Sequence, residues 1–158
     1  MNSIRFLGFL SAMASIASAA EAGALEQSTV RNIQFGMTTK FSDLSSFDAQ
    51  EVCILQPYQD RLHSKDALAV RVNQHLAAKN YTADEGHFSV LIGKEAIEIA
   101  TFKRSQQLDL LAKHEVASSV DEVMPKGFVP NDCVDGKFAA LFKTEFRDRT
   151  YVVLGDAR

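Results

Sequence analysis

The chain has 158 residues, 46% apolar and 23% charged, with 17 Lys plus Arg against 20 Asp plus Glu, a formal net charge of −3, two cysteines and no tryptophan. Apolar content near the globular average with only 3 Pro and 8 Gly excludes a disordered, collagen-like or low-complexity chain. Mild acidity, with no basic run longer than Lys103-Arg104, gives no electrostatic footprint for nucleic acid or anionic lipid.

Residues 1–19 carry the parts of an export signal in order. Met1 to Arg5 is a short basic start, and Phe6 to Ile16 is an apolar stretch too short for a bilayer core that takes about 20 helical residues. Ala17-Ser18-Ala19 supplies the small residues a signal peptidase accepts, placing cleavage after Ala19, with Ala20 or Ala22 as alternatives. No Cys follows that could carry a lipid, and no later segment is apolar enough to span a membrane, so no membrane anchor is expected. Removing residues 1–19 takes away Arg5 alone among the charged side chains and moves the formal charge to −4. The expected organisation is a cleaved signal peptide (1–19), a flexible N-terminal tail (20–29) and a single α+β domain (30–158). The expected localisation is periplasmic, with secretion as the alternative.

Export gives the two cysteines a meaning. In an oxidising compartment a single pair in a small domain reads as a disulfide, here Cys53 with Cys133. Cys53 lies in the apolar run Val52-Cys53-Ile54-Leu55, where a thiolate is poorly solvated, which argues against a nucleophile.

Along the chain, residues 31–35 alternate and read as a first strand ending near Gly36. Residues 42–50 read as a connection with one helical turn, and 51–55 as an apolar strand that Pro57 ends. Ser64 is placed to cap the best helix, whose stripe is Leu68, Val72 and Leu76, with Lys79 in its last turn and Asn80 as a left-handed stop. Residues 87–92 and 95–102 read as a hairpin turning at Gly93-Lys94, although 95–111 also suits a helix. Residues 106–115 read as helical on Leu108, Leu111 and Ala112. Ser119 and Glu122 make a capping-box pattern for a short turn ended by Pro125. Phe138, Ala140, Phe142, Thr144 and Phe146 alternate onto one face of a strand, Arg147-Asp148-Arg149 turns the chain, and 150–154 returns. The helix with Leu68, Val72 and Leu76 is expected to cover that aromatic face. The fold class is therefore α+β: a mainly antiparallel sheet with one or two helices packed on one face, and one disulfide.

Motifs that carry chemistry are sparse. There is no GxSxG elbow, P-loop, GxGxxG, HExxH or CxxC, and no cofactor is implied. Asp84, Glu85 and His87 crowd one loop and come closest to a metal site. Asp132, Asp135 and Asp148 suit turn chemistry at Asn131-Asp132 and Asp135-Gly136. Asn80-Tyr81-Thr82 matches the N-glycosylation acceptor pattern. Two functional expectations follow. The first is an exported, non-catalytic binding protein, an inhibitor or envelope-assembly partner, whose partner is another protein. The alternative is a small hydrolase or metal-dependent enzyme using the acidic loops and His87.

Overall fold

The computed structural model describes residues 25–44 and 48–158; the expected signal peptide lies outside them. In chain order it contains α1 (Gln27–Arg31), β1 (Thr38–Lys40), α2 (Phe41–Leu44), β2 (Glu51–Leu55), α3 (Ala67–Lys79), β3 (His87–Gly93), β4 (Ile97–Lys103) and β5 (Asp109–Leu110). There follow a 3₁₀ turn (Lys113–Glu115), α4 (Ser118–Asp121), β6 (Phe128–Pro130), β7 (Cys133–Asp135), β8 (Ala139–Phe146) and β9 (Arg149–Ala157). The class is α+β, dominated by two sheets. One runs β1-β8-β9-β5, with β6 also on β9, and the other runs β4-β3-β2-β7. Every pairing is antiparallel except β5 with β9.

The strands' period of two builds the layers. Val52, Ile54, Phe88, Val90 and Ile92 of the second sheet share one buried cluster with Leu141, Val152 and Leu154 of the first, so the two sheets pack face to face. The alternate residues Cys53, Leu55 and Leu91 point the other way, onto Ala69, Val72 and Leu76 of α3. β2 is thus covered on both sides, which explains why its five residues are all buried instead of alternating. On the outer face of the first sheet, Ala140, Phe142 and Val153 pack with Leu111, Val120 and Phe128. The aromatic face is therefore covered by the 111–128 segment, not by α3 as expected. Phe142 and Phe128 sit with ring centroids 5.8 Å apart.

Cys53 and Cys133 are direct cross-strand partners on β2 and β7 and are joined by a disulfide buried beneath α3. The bond closes a separation of 80 residues. α3 carries the expected apolar stripe and stops at Asn80 in the left-handed region, where Tyr81 N–H and Asn80 N–H return to the carbonyls of Leu76 and Ala77. Its cap is Asp66, whose Oδ1 accepts from Ala69 N at 2.8 Å. Ser64, the expected cap, instead donates to the Asp66 carboxylate.

Four local expectations are corrected. Residues 27–31, placed in the tail and the start of a strand, form α1. Val30 and Ile33 reach the core at helical spacing, whereas Phe35 is exposed, so no strand face forms there. The β3–β4 hairpin exists, but Gly93 pairs with Ile97 across a longer loop, 94–96. Gly93 is needed as a strand residue: a Cβ there would lie 2.3 Å from the Glu51 side chain that crosses it. Residues 106–115 hold no α-helix. Leu108 and Leu110 face the inter-sheet core while Leu111 faces the outer cluster, a strand's alternation. α4 starts one residue before the expected capping box, and its N-cap position is Ala117. Among the described residues no helix is long and apolar enough to cross a membrane.

Candidate functional site

The turn after β2 is held as a rigid ledge. Tyr58 N–H donates to Ala83 O at 2.8 Å, and Ala83 N–H returns a bond to Gln59 O at 3.0 Å. Gln56 N–H donates to the Gln59 side chain, and Asn73 of α3 brackets Leu62 by accepting from its N–H and donating to its carbonyl. On this ledge Tyr58 adopts φ +64°, a left-handed backbone that disfavours a side chain, and its ring is 66% exposed. The Tyr58 phenol pKa is raised above its ordinary value, chiefly by its interaction with the Glu85 carboxylate.

Across from the ledge lies a second left-handed residue. β8 and β9 are joined by the two-residue turn Arg147-Asp148, with φ of 50° and 57°, the mirror-image turn whose twist suits a hairpin. Arg147 and Tyr58 line the same open cleft of about 510 Å³. Its walls are Pro57, Leu110, Leu111, Phe146 and Tyr151, with Arg104 and Glu115 as further charges. The Phe146 and Tyr151 rings are 6.5 Å apart and tilted, and the Arg147 guanidinium lies 4.8 Å from the centre of the Phe146 ring. On the other side of the ledge a depression of about 660 Å³ shares Gln56, Pro57 and Tyr58 and is bounded by His63, His114 and Asp132.

The wall of the first cleft is fixed from beneath by a buried carboxylate. Asp109 is 1% exposed and sits between Leu108 and Leu110. Arg104 grips it with two bonds, Nε to Oδ1 at 2.7 Å and Nη2 to Oδ2 at 2.8 Å, while Arg149 Nη1 donates to Oδ2 at 2.7 Å. Leu110 N–H also donates to Oδ1. This satisfies the carboxylate as a buried charge requires. The bonds from Asp109 are also the main cause that raises the Arg104 pKa. Two guanidiniums share one carboxylate, so the cluster carries one excess positive charge.

The residues singled out from sequence are distributed differently. Cys53 and Cys133 are a structural staple away from the cleft. Asp84 and Glu85 are exposed on the loop before β3, and only Glu85 reaches the site, through Tyr58. His87 opens β3 opposite Lys103 and is half-buried, with Nδ1 unpaired; the two depressions beside Tyr58 are lined by other residues. Among the described residues no three of His, Cys, Asp or Glu converge in a way that could hold a metal ion. Asp132 and Asp135 accept from the backbone N–H groups of Lys113 and Lys137, and Asp148 serves the hairpin turn, so these three act in separate turns. Tyr58, Arg104, Asp109, Arg147 and Arg149 were not anticipated. The signal for Asp109 was a lone carboxylate inside the apolar run from Leu108 to Ala112. No local pattern marks Tyr58. No family model matches this sequence, and no curated protein or solved structure is significantly similar to it.

Proposed function

We propose that the protein is an exported, non-catalytic binding module that seats a partner protein in the cleft beside Tyr58. The observation that carries this reading is Tyr58 itself, a largely exposed aromatic ring held in an unfavourable backbone conformation by hydrogen bonds on both sides of its turn. Strain of this kind, of order 1–3 kcal/mol, persists where surrounding structure over-determines it, and such residues cluster at ligand clamps. Tyr and Arg, with Trp, are also the residues enriched at the centres of protein interfaces, and Tyr presents a large area at little entropic cost. The buried disulfide supports an oxidising compartment, the periplasm first and the extracellular medium second.

Tagged wild-type and Tyr58→Ala proteins, introduced into the native compartment and recovered with cross-linking, test the reading. A partner recovered with the wild type and lost with the variant, at comparable amounts of folded protein, is the expected result. Equal recovery by both removes the cleft from the interface.

A further inference from the structure

The cleft beside Tyr58 sets aromatic rings beside an arginine that is in no ion pair among the described residues. Arg147 stacks on Phe146 and makes no ion pair among the described residues. Arg104 uses Nε and Nη2 on Asp109, and its other amino group is not committed to that carboxylate. Against these stands Glu115, whose Oε2 accepts the Ala112 N–H and so caps its own turn. Glu85 stands at the rim close enough to the Tyr58 phenol to raise its pKa. The buried Asp109 takes up Arg104 and Arg149 together, so Arg147 is the guanidinium on the cleft that meets no carboxylate among the described residues. The depression on the far side of Tyr58 continues the groove past the ledge, which makes it longer than one side chain needs.

We infer that the groove recognises an extended acidic and apolar peptide segment of the partner, its apolar side chain lying on Phe146 and Tyr151 and its side-chain carboxylate on Arg147. This rests on the binding reading above and names the partner's chemistry. Guanidinium pairs with carboxylate in a planar, two-bond geometry that an ammonium does not reproduce, and a ring beneath the guanidinium holds its plane in place. The aromatic rings supply affinity and the arginine supplies discrimination.

Fluorescence polarisation with labelled acetyl-Leu-Glu-Phe-Glu-Leu-amide, and with its Gln and Lys counterparts, tests the inference on the full exported protein. The amidated end removes the terminal carboxylate, so only side-chain carboxylates are read. The Glu peptide should bind about five-fold or more tightly than the Gln peptide, and more tightly still than the Lys peptide, with a preference that shrinks as salt is raised. Arg147→Gln should erase the Glu-over-Gln preference at unchanged melting temperature, because Arg147 is exposed and in no ion pair; Arg147→Lys should restore part of it. Equal affinity for the Glu, Gln and Lys peptides, no binding of any of them at millimolar concentration, or a preference that survives Arg147→Gln overturns the inference. Any of these alongside partner capture that still depends on Tyr58 leaves the cleft as the interface and removes only the acidic specificity. Capture that does not depend on Tyr58 removes the cleft itself.

Discussion

Glu51 and Tyr58 are two residues whose local energetics run against the ordinary preferences of their types. Glu51 is almost wholly buried, opposite Gly93, and Arg71 Nη1 stands 3.2 Å from its Oε1, yet no aligned hydrogen bond reaches that oxygen. Arg71 divides its donors between Gln50 and the Lys94 carbonyl as well. Burial therefore outweighs the attraction, and the Glu51 carboxyl is raised above its ordinary value of 4.5. The native state then retains a proton that the unfolded chain has released, so this contribution to stability is complete below pH 4.5 and is lost as pH rises through the folded value. Glu51→Gln removes that dependence. Urea denaturation should show the variant gaining on the wild type between pH 4 and pH 7, and a variant that loses ground over that interval would mean that Arg71 wins after all. At Tyr58 the left-handed backbone penalises any side chain, so Tyr58→Gly should be more stable than Tyr58→Ala by about 1 kcal/mol in the same assay. The reverse order would show that the turn relaxes once the ring is gone.

At the scale of elements, what the sequence made legible is what a single period decides. α3, β2, the β3–β4 pair and the β8–β9 pair follow from apolar spacing and from Asn80 as a stop, because each buries a continuous face of its own. Residues 106–115 read as a helix because Ala, Leu, Gln and Lys favour one locally, while Asp109 and Leu110 are drawn into a strand by pairing with Tyr151 and Val152, more than 40 positions away. The cleft was invisible for the same reason, since its residues come from positions 56–58, 104–117 and 146–151, which only the packing of the two sheets brings together. Phe142 shows the difference between knowing that a face is buried and knowing what buries it. It is 1% exposed, packed with Leu111 of the 106–115 segment and with Val120 and Phe128 further along the chain. Phe142→Ala should therefore cost about 3–5 kcal/mol in unfolding free energy. A double-mutant cycle should place the coupling on Phe128, with none to Leu76 of α3, which lies beyond the second sheet. Coupling to Leu76 would return α3 to the position first expected of it.

For the whole molecule, the disulfide matters through where it ties the chain. β7 is a three-residue edge strand that reaches β2 only after the chain has passed through α3, β3, β4 and β5, and short edge strands are the first to fray. Cys53–Cys133 pins that strand at its own register position, beneath the helix that covers the sheet. In the chain-entropy account, closing a loop of about 80 residues removes about 4–5 kcal/mol of unfolded-state freedom. Replacing both cysteines with Ala should therefore lower unfolding stability by several kcal/mol and raise the denaturant slope, because the uncrosslinked chain unfolds to a more expanded ensemble. Non-reducing peptide mapping of the native protein should recover the Cys53 and Cys133 peptides joined. Because both sulfurs lie under α3, reductant should reach them only as fast as that layer opens, so reduction in native buffer should be slow and should accelerate with mild urea. Complete alkylation of both thiols in the native protein without reductant would remove the staple, and with it the structural support for an oxidising compartment.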